Sequence, residues 1–256
     1  MTRRIEFEDT FGGDRLDETK WIPYYLPQWS GREAARARYR LGDGLLRLRI
    51  EEDQPPWHPE AEGELRVSSL QTGLYAGPLG SRIGQHGRGG LVVREEQPAQ
   101  RLYTPQYGRV EMRARALDDP DCMVALWLIG YEDAPERSAE ICVAEIFGRD
   151  VGPGRARVGM GVHPFGDPSI TDDFTVEELA IDAREFHVYA ADWTPEQVSF
   201  EVDGRHVRTV RQSPAYPMQL MLDIYEFRPG GGTYPKEFIV DYVRGYAYEP
   251  PGASAR

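Results

Sequence analysis

The chain has 256 residues, enough for one domain with a full hydrophobic core, and its 42 acidic and 30 basic residues give a net charge of −12. This acidic excess disfavours nucleic acid and anionic membrane surfaces as main partners. No long apolar run predicts a membrane-spanning helix, and no apolar segment near the start predicts a secretory leader. We therefore expect a monomer in the cytoplasm, or a secreted protein if a leader has been removed.

Several classes of enzyme are disfavoured by missing motifs. The two cysteines, Cys122 and Cys142, do not form a C-x-x-C pair, and the five histidines are never spaced as i, i+2 or i, i+4. The chain has no G-x-S-x-G motif and no glycine loop of the phosphate-binding type. A histidine-rich metal centre, a serine hydrolase, a nucleotide triphosphatase and a dinucleotide enzyme are all disfavoured.

Alternating apolar and polar residues predict an all-β protein. Segments 46–50, 110–116 and 198–202 alternate with period two, and Asp203-Gly204 predicts a hairpin turn into a strand over 206–210. A last strand is predicted over 238–248, and the proline-rich segment 54–63 reads as a surface loop. Many strands with frequent turn signals favour two antiparallel sheets, in a sandwich or jelly roll, within a single domain over 1–256.

Two glutamates, Glu140 and Glu145, interrupt an otherwise apolar strand. Residues five apart face opposite sides of a regular strand, but one β-bulge would return both to the same face. Their Cα atoms would then lie about 13 Å apart, and converging side chains could bring the carboxylates to about 5–6 Å, near the separation in retaining glycosidases. The alternative is that both are solvated residues on a half-exposed sheet.

The segment around these glutamates resembles glycoside hydrolase family 16, the β-jelly-roll endoglucanases and laminarinases. Glu140-Ile-Cys-Val-Ala-Glu145 is similar to the family signature E-[I/L]-D-x-x-E, and it follows a tryptophan-containing strand over 123–129. Five further ordered segments match family patterns: 107–115 (YGRVEMRAR), 186–189 with 192–195 (FHVY, DWTP), 200–204 (FEVDG), 217–222 (PMQLML) and 240–244 (VDYVR). The resemblance implies a jelly roll with a cleft across its concave sheet.

The resemblance implies that Glu140 is the nucleophile and Glu145 the general acid/base of a retaining hydrolase. Cys142 replaces the family's central aspartate, and a thiol cannot supply a third negative charge at neutral pH. Because residues i and i+2 share a face, we expect the thiol to face the cleft beside Glu140, with the bulge between Cys142 and Glu145. Three interpretations stay open: an active site with altered tuning, a degenerate sugar-binding protein, and an unusual substrate or a role for the thiol itself.

Aromatic residues are the first candidates for substrate binding, because sugars stack on aromatic faces. The resemblance implies that Trp127 lies in the cleft and that Trp29 lies in a loop that helps to form the negative subsites. Trp57, in a proline-rich loop, is predicted to be exposed and to extend the cleft. His163 falls on a strand where the family often has a histidine near the acid/base. Core packing is the alternative for Trp127 and His163, and packing within its own loop is the alternative for Trp57.

Three carboxylates complete the predicted set. Asp223 and Glu226 lie where laminarinases carry asparagine and small residues, so we expect two extra carboxylates in the cleft. Asp241 matches the closing-strand aspartate near which many relatives bind one structural Ca²⁺, although Ca²⁺ needs six to eight oxygens. No cofactor is required for the predicted chemistry.

The function predicted by the resemblance is endo-acting, retaining hydrolysis of a β-linked polysaccharide, a β-1,3- or β-1,3/1,4-glucan. The alternatives are a non-hydrolytic carbohydrate-binding protein and a transglycosylase that uses the same two glutamates.

Overall fold

The computed structural model describes residues 3–250, and nearly all regular structure in that range is β-strand. The strands are β1 Ile5–Asp9, β2 Arg38–Gly42, β3 Leu45–Ile50, β4 Arg66–Gln71, β5 Gly73–Leu74, β6 Gln100–Arg101, β7 Gly108–Arg115, β8 Cys122–Gly130, β9 Glu140–Phe147, β10 Val151–Gly152, β11 Arg155–His163, β12 Asp173–Leu179, β13 His187–Trp193, β14 Val198–Val202, β15 Arg205–Val210, β16 Met218–Glu226 and β17 Lys236–Tyr246. Short helices lie at α1 Pro27–Ser30, α2 Arg32–Ala35 and α3 Pro59–Glu62, with a 3-10 turn over Gly148–Asp150.

Two large antiparallel sheets form the fold, which confirms the predicted all-β jelly roll. The eight-stranded sheet has the order β15-β14-β13-β7-β17-β3-β2, with β1 also paired to β17. The seven-stranded sheet has the order β10-β11-β9-β8-β16-β4, with β12 also paired to β11. The predicted hairpin is the β14–β15 pair, in which Val202 lies opposite Arg205.

The main hydrophobic core lies between the two sheets. Alternating residues of each strand supply it: Leu46, Leu48 and Ile50 of β3 are fully buried, while the residues between them are partly exposed. From the facing sheet, Leu126 and Leu128 of β8 enter the same core. Burial of apolar surface on one face of each strand is what fixes the register of both sheets.

A second hydrophobic layer covers part of the other face of the seven-stranded sheet. Residues from segments 25–35, 57–67 and 91–93 pack there against side chains of β8, β9 and β16. The interpretation of 54–63 as a simple surface loop was therefore incomplete, because this segment carries α3 and the buried Trp57. The layer leaves only part of the sheet face open, and the open part holds the candidate site.

No helix between residues 3 and 250 is long and apolar enough to cross a lipid bilayer.

Candidate active site

A β-bulge at Val143 turns the two glutamates toward the same face of β9. Leu126 of β8 pairs with Ala144 and Trp127 pairs with Cys142, which leaves Val143 as the extra residue. The pairing with β11 shifts at the same place, between Cys142 and Glu145. The bulge thus lies where the sequence predicted it, and Val143 enters the inter-sheet core while the thiol enters the outer layer.

The open part of the seven-stranded sheet forms a cleft of about 460 Å³. Both glutamates line it, together with Trp127 and His163. The remaining lining residues come from the covering segments and from strand ends: Tyr25, Glu62, Leu65, His86, Arg88, Met123, Phe147, Phe165, Tyr225 and Phe227. Four of the residues predicted to form the site are therefore brought together in one cleft.

The carboxyl group of Glu145 has a strongly perturbed acidity. Burial, with the charge of Glu140 as the second contribution, raises its pKa from 4.5 to about 7, while His163 and Arg149 act in the opposite direction. A carboxylic acid with this pKa is still protonated in about half of the molecules at pH 7. Glu145 can therefore donate a proton, which is the property that a general acid requires.

Glu140 has a different environment and is almost fully buried. The Cys142 thiol donates a hydrogen bond to its Oε1 at 2.6 Å, and Nε2 of His86 lies 3.1 Å from its Oε2. Burial, with Glu140 as the next contribution, raises the pKa of Cys142 well above its usual value, so the thiol stays neutral. It can therefore orient Glu140 without adding a third negative charge.

His86 is a site residue that the sequence analysis missed. It lies on the long loop before β6, where no periodic pattern marks it, and its backbone has a left-handed φ of 53°. The side chain of Glu132 accepts a hydrogen bond from the His86 peptide N–H at 2.8 Å and so holds this conformation. A histidine with positive φ in a glycine-rich loop has no local signature that would predict contact with a residue far along the chain.

His86 and Phe165 together divide the open face into two chambers. Their rings meet edge-to-face with centroids 4.7 Å apart, and both residues line the cleft and a second cavity of about 600 Å³. His163 also contacts Phe165, with ring centroids 6.1 Å apart, and its Nδ1 lies 2.9 Å from Oδ2 of Asp172.

Aromatic side chains form one wall of the cleft. Trp127 and Tyr225 have centroids 5.6 Å apart, Tyr225 stacks with Phe227 at 6.1 Å, and Phe227 stacks with Phe147 at 5.8 Å. Phe227 is partly open to solvent, which suits a surface on which a sugar ring can stack. The sequence analysis identified Trp127 but not the other three, because each lies at a strand end or within an apolar run.

Two tryptophans predicted to bind substrate are instead buried. Trp29 is fully buried, and its Nε1 donates to the carbonyl oxygen of Gln85 at 2.8 Å, directly beside His86. Trp57 is 2% exposed, and its Nε1 donates to the carbonyl oxygen of Tyr25 at 3.0 Å. Both predictions were wrong because these rings support the covering layer rather than touch the cleft.

The two extra carboxylates are also buried rather than exposed in the cleft. Asp223 lies on the correct face of β16 but has no accessible surface, and burial raises its pKa well above its usual value. Glu226 accepts a hydrogen bond from Tyr234 at 2.6 Å and pairs with Arg66 at 3.3 Å. The prediction that both line the cleft was wrong: one is a neutral buried acid and the other closes an ion pair at the strand end.

The geometry around Asp241 does not fit the Ca²⁺ site that the sequence suggested. Asp241 is the bulged residue of β17, and its carboxylate forms an ion pair with Arg113. A guanidinium group therefore already neutralises this carboxylate, which makes it a poor ligand for a Ca²⁺ ion that needs six to eight oxygens. Cys122 and Cys142 are both free and buried.

Comparison with known proteins identifies the family. Residues 100–231, just over half of the chain, match the family described as "Glycosyl hydrolases family 16". The chain belongs to this family. The match covers β9 and the strands on either side of it, so it includes the segment that carries Glu140, Cys142 and Glu145.

Two curated relatives match nearly the whole chain but are longer than it. Glucan endo-1,3-beta-glucosidase A1 of Niallia circulans is 23% identical over 94% of this chain and 37% of its own length. Gram-negative bacteria-binding protein 1 of Drosophila melanogaster is 25% identical over 98% of this chain and 58% of its own length. The chain thus spans less than two thirds of either relative.

Among solved structures, the GlcNAcα1-4Gal releasing endo-β-galactosidase from Clostridium perfringens has the same fold. It is 30% identical, with a TM-score of 0.83 over 95% of this chain and 62% of that chain.

Proposed function

We propose that the chain is a retaining, endo-acting glycoside hydrolase that cleaves β-glycosidic bonds in a polysaccharide. The observation that carries the proposal is the pair formed by Glu140 and Glu145, which one bulge places on the same face of β9 with different environments. A retaining glycosidase needs one carboxylate that attacks and one acid that donates a proton.

Glu140 acts as the nucleophile in this proposal. Its carboxylate attacks the anomeric carbon while Glu145 protonates the departing glycosidic oxygen, which gives a covalent glycosyl-enzyme. Glu145, now ionised, then takes a proton from water as this water attacks the anomeric carbon and releases Glu140. The hydrogen bond from Cys142 to Oε1 orients the nucleophile through the cycle.

Two classes of polysaccharide are candidate substrates. A β-1,3- or β-1,3/1,4-glucan is the first candidate, in line with the name of the Niallia circulans relative. A β-galactosidic glycan is the second candidate, because the Clostridium perfringens enzyme named as an endo-β-galactosidase is more similar, at 30% identity. Initial rates on both classes of glycan, with products resolved by length, decide between them and between endo and exo action.

Chemical rescue with azide tests the two catalytic roles separately. Glu140→Ala should lose hydrolysis by a factor on the order of 10³ or more, and azide should rescue it with an activated aryl glycoside to give a glycosyl azide of inverted configuration. Glu145→Ala should keep its first step on the same activated substrate, since a good leaving group needs no acid, and azide should give the retained product. Glu62→Gln is the matched control, because Glu62 lines the same cleft but lies on α3; we expect a change of only a few-fold.

Two results would contradict the proposal. If Glu140→Ala keeps wild-type activity, Glu140 is not the nucleophile. If no glycan is hydrolysed while oligosaccharides still bind, the degenerate binding protein is the better description. Added sugar acceptors test transglycosylation, which would appear as products longer than the substrate.

A further inference from the structure

Glu140 forms a cluster of potential metal ligands with His163, which also lines the cleft, and with the fully buried Cys142. One potential ligand atom each of Glu140, Cys142 and His163 lies within 4.8 Å of the other two. We propose that these three side chains, with His86 as the fourth ligand, bind a Zn²⁺ ion that blocks the nucleophile. The binding itself is independent of the proposed function, and the resulting inhibition rests on it.

His86 supplies an observation that points to a ligand independently of the cluster. Its side chain is only 10% exposed, and Nε2 lies 3.1 Å from Oε2 of Glu140 without the geometry of a hydrogen bond. Within residues 3–250, this buried nitrogen has no hydrogen-bond partner. Buried polar atoms are almost always satisfied, and a nitrogen without a hydrogen bond at 3.1 Å from a carboxylate oxygen is placed to share one metal ion with it.

His163 has a carboxylate neighbour of the kind that orients metal-binding histidines. Its Nδ1 lies 2.9 Å from Oδ2 of Asp172, which leaves Nε2 to coordinate. Metal-binding histidines commonly donate the other ring N–H to a carboxylate, because this fixes the tautomer and the orientation of the ring. Asp172 lies in the loop after β11 and has no other evident role in the cleft.

The donor set selects for a thiophilic ion. One thiol, two imidazoles and one carboxylate match the ligands of Zn²⁺, whereas Ca²⁺ and Mg²⁺ require oxygen ligands. Ligand atoms of tetrahedral Zn²⁺ are about 3.4 Å apart, so the atoms of Glu140, Cys142 and His163, which lie within 4.8 Å of one another, need to approach by up to about 1.4 Å. His86 lies outside this group of three and must move toward it as well. Binding forms a Zn–S bond to Cys142 and releases the thiol proton to solvent.

The consequence for the proposed reaction is occlusion. An ion bound to Glu140 occupies the oxygens that would attack the anomeric carbon, so metal and productive substrate exclude each other. Since Cys142 stands where the family has aspartate, this sensitivity to Zn²⁺ is a property of this chain's own motif.

Co²⁺ is the probe for the site, because thiolate-to-cobalt charge transfer absorbs in the near ultraviolet and reports on sulfur ligation without any enzyme assay. The wild-type chain should bind one equivalent with this band, and Zn²⁺ should displace it. Cys142→Ala should lose the band, whereas Cys122→Ala should keep it, because Cys122 is the other free thiol and does not belong to the cluster. Asp172→Asn, a change at an exposed side chain, should weaken Zn²⁺ affinity by about 10–100-fold.

Inhibition is measured in parallel. Micromolar Zn²⁺ should inhibit the wild type and Cys122→Ala, Ca²⁺ and Mg²⁺ should not, and Cys142→Ala should resist relative to its own basal rate. The inference is overturned if the wild type shows no charge-transfer band, if the band persists in Cys142→Ala, or if bound Zn²⁺ does not slow hydrolysis. If the wild type shows the charge-transfer band but hydrolyses no glycan, the proposed function is refuted and the metal site is supported. If it hydrolyses glycan but binds no metal, the metal site is refuted and the proposed function is supported.

Discussion

The pH dependence of hydrolysis should have an alkaline limb with an apparent pKa near 7, set by Glu145. Burial and then the charge of Glu140 raise this pKa from 4.5 to about 7. The acid must be protonated to act, so kcat/KM should fall tenfold for each pH unit above this value. At pH 8 about one tenth of the plateau should remain. If Glu145 had the ordinary glutamate pKa of about 4.3, kcat/KM would already be lower by a factor of several hundred at pH 7.

The assay is kcat/KM on a soluble oligosaccharide between pH 4 and 9, since this parameter reports the free enzyme. Arg149 is an exposed residue that lowers the pKa of Glu145, so Arg149→Gln should move the alkaline limb to higher pH. His163 acts in the same direction. His163→Gln should therefore also move the limb upward, whereas it would abolish the limb if His163 were the titrating group.

A second carboxyl group in the region could be mistaken for Glu145. Burial raises the pKa of Glu132 to about 7 as well, although His86 opposes the rise. Glu132→Gln should leave the limb in place, because Glu132 lines the second cavity and not the cleft that holds Glu145. Loss of the limb in Glu132→Gln, or a limb near pH 5 in the wild type, would refute the assignment of the acid to Glu145.

Two further predictions test the role of the thiol and the burial of a tryptophan. Cys142→Asp places a carboxyl group two residues from Glu140. Coupling between the two neighbouring carboxyl groups should shift the pH–rate profile relative to that of the wild type. An unchanged profile would show that residue 142 does not tune the site. Trp57→Ala should lower the free energy of unfolding by about 3–5 kcal/mol, because the ring is 2% exposed. Urea denaturation measures this loss. A variant with unchanged stability and a raised KM would show instead that Trp57 contacts substrate.

The strands, including the one that carries Glu140 and Glu145, could be predicted because the sequence patterns that mark them are local. Alternation of apolar residues marks one buried face, and two glutamates in an apolar strand are explained only by an open surface or a partner. Even the bulge follows from this pattern, since Glu140, Cys142 and Glu145 cannot share a face without an extra residue between the last two. The structure places that residue at Val143.

The covering layer was not predictable, because nothing local distinguishes a cleft-lining aromatic residue from one buried under a loop. Trp29 and Trp57 have the composition and the loop context of sugar-binding residues, but long-range contacts decide where their rings go. The same holds for the carboxylate of Glu226, whose partner Arg66 comes from a strand 160 residues earlier in the chain.

The misassigned tryptophan and the unpredicted histidine have one physical cause. Trp29 packs under the loop that carries His86: its Nε1 holds the carbonyl oxygen of Gln85, and a Cβ added at Gly84 would meet its ring at 2.9 Å. With φ of 159°, Gly84 lets the backbone pass close over the indole. The buried indole thereby fixes the loop so that Nε2 of His86 lies 3.1 Å from Oε2 of Glu140. We therefore expect Trp29 to act on the proposed nucleophile only through the position of this loop, which lies outside the residues 100–231 that match the family.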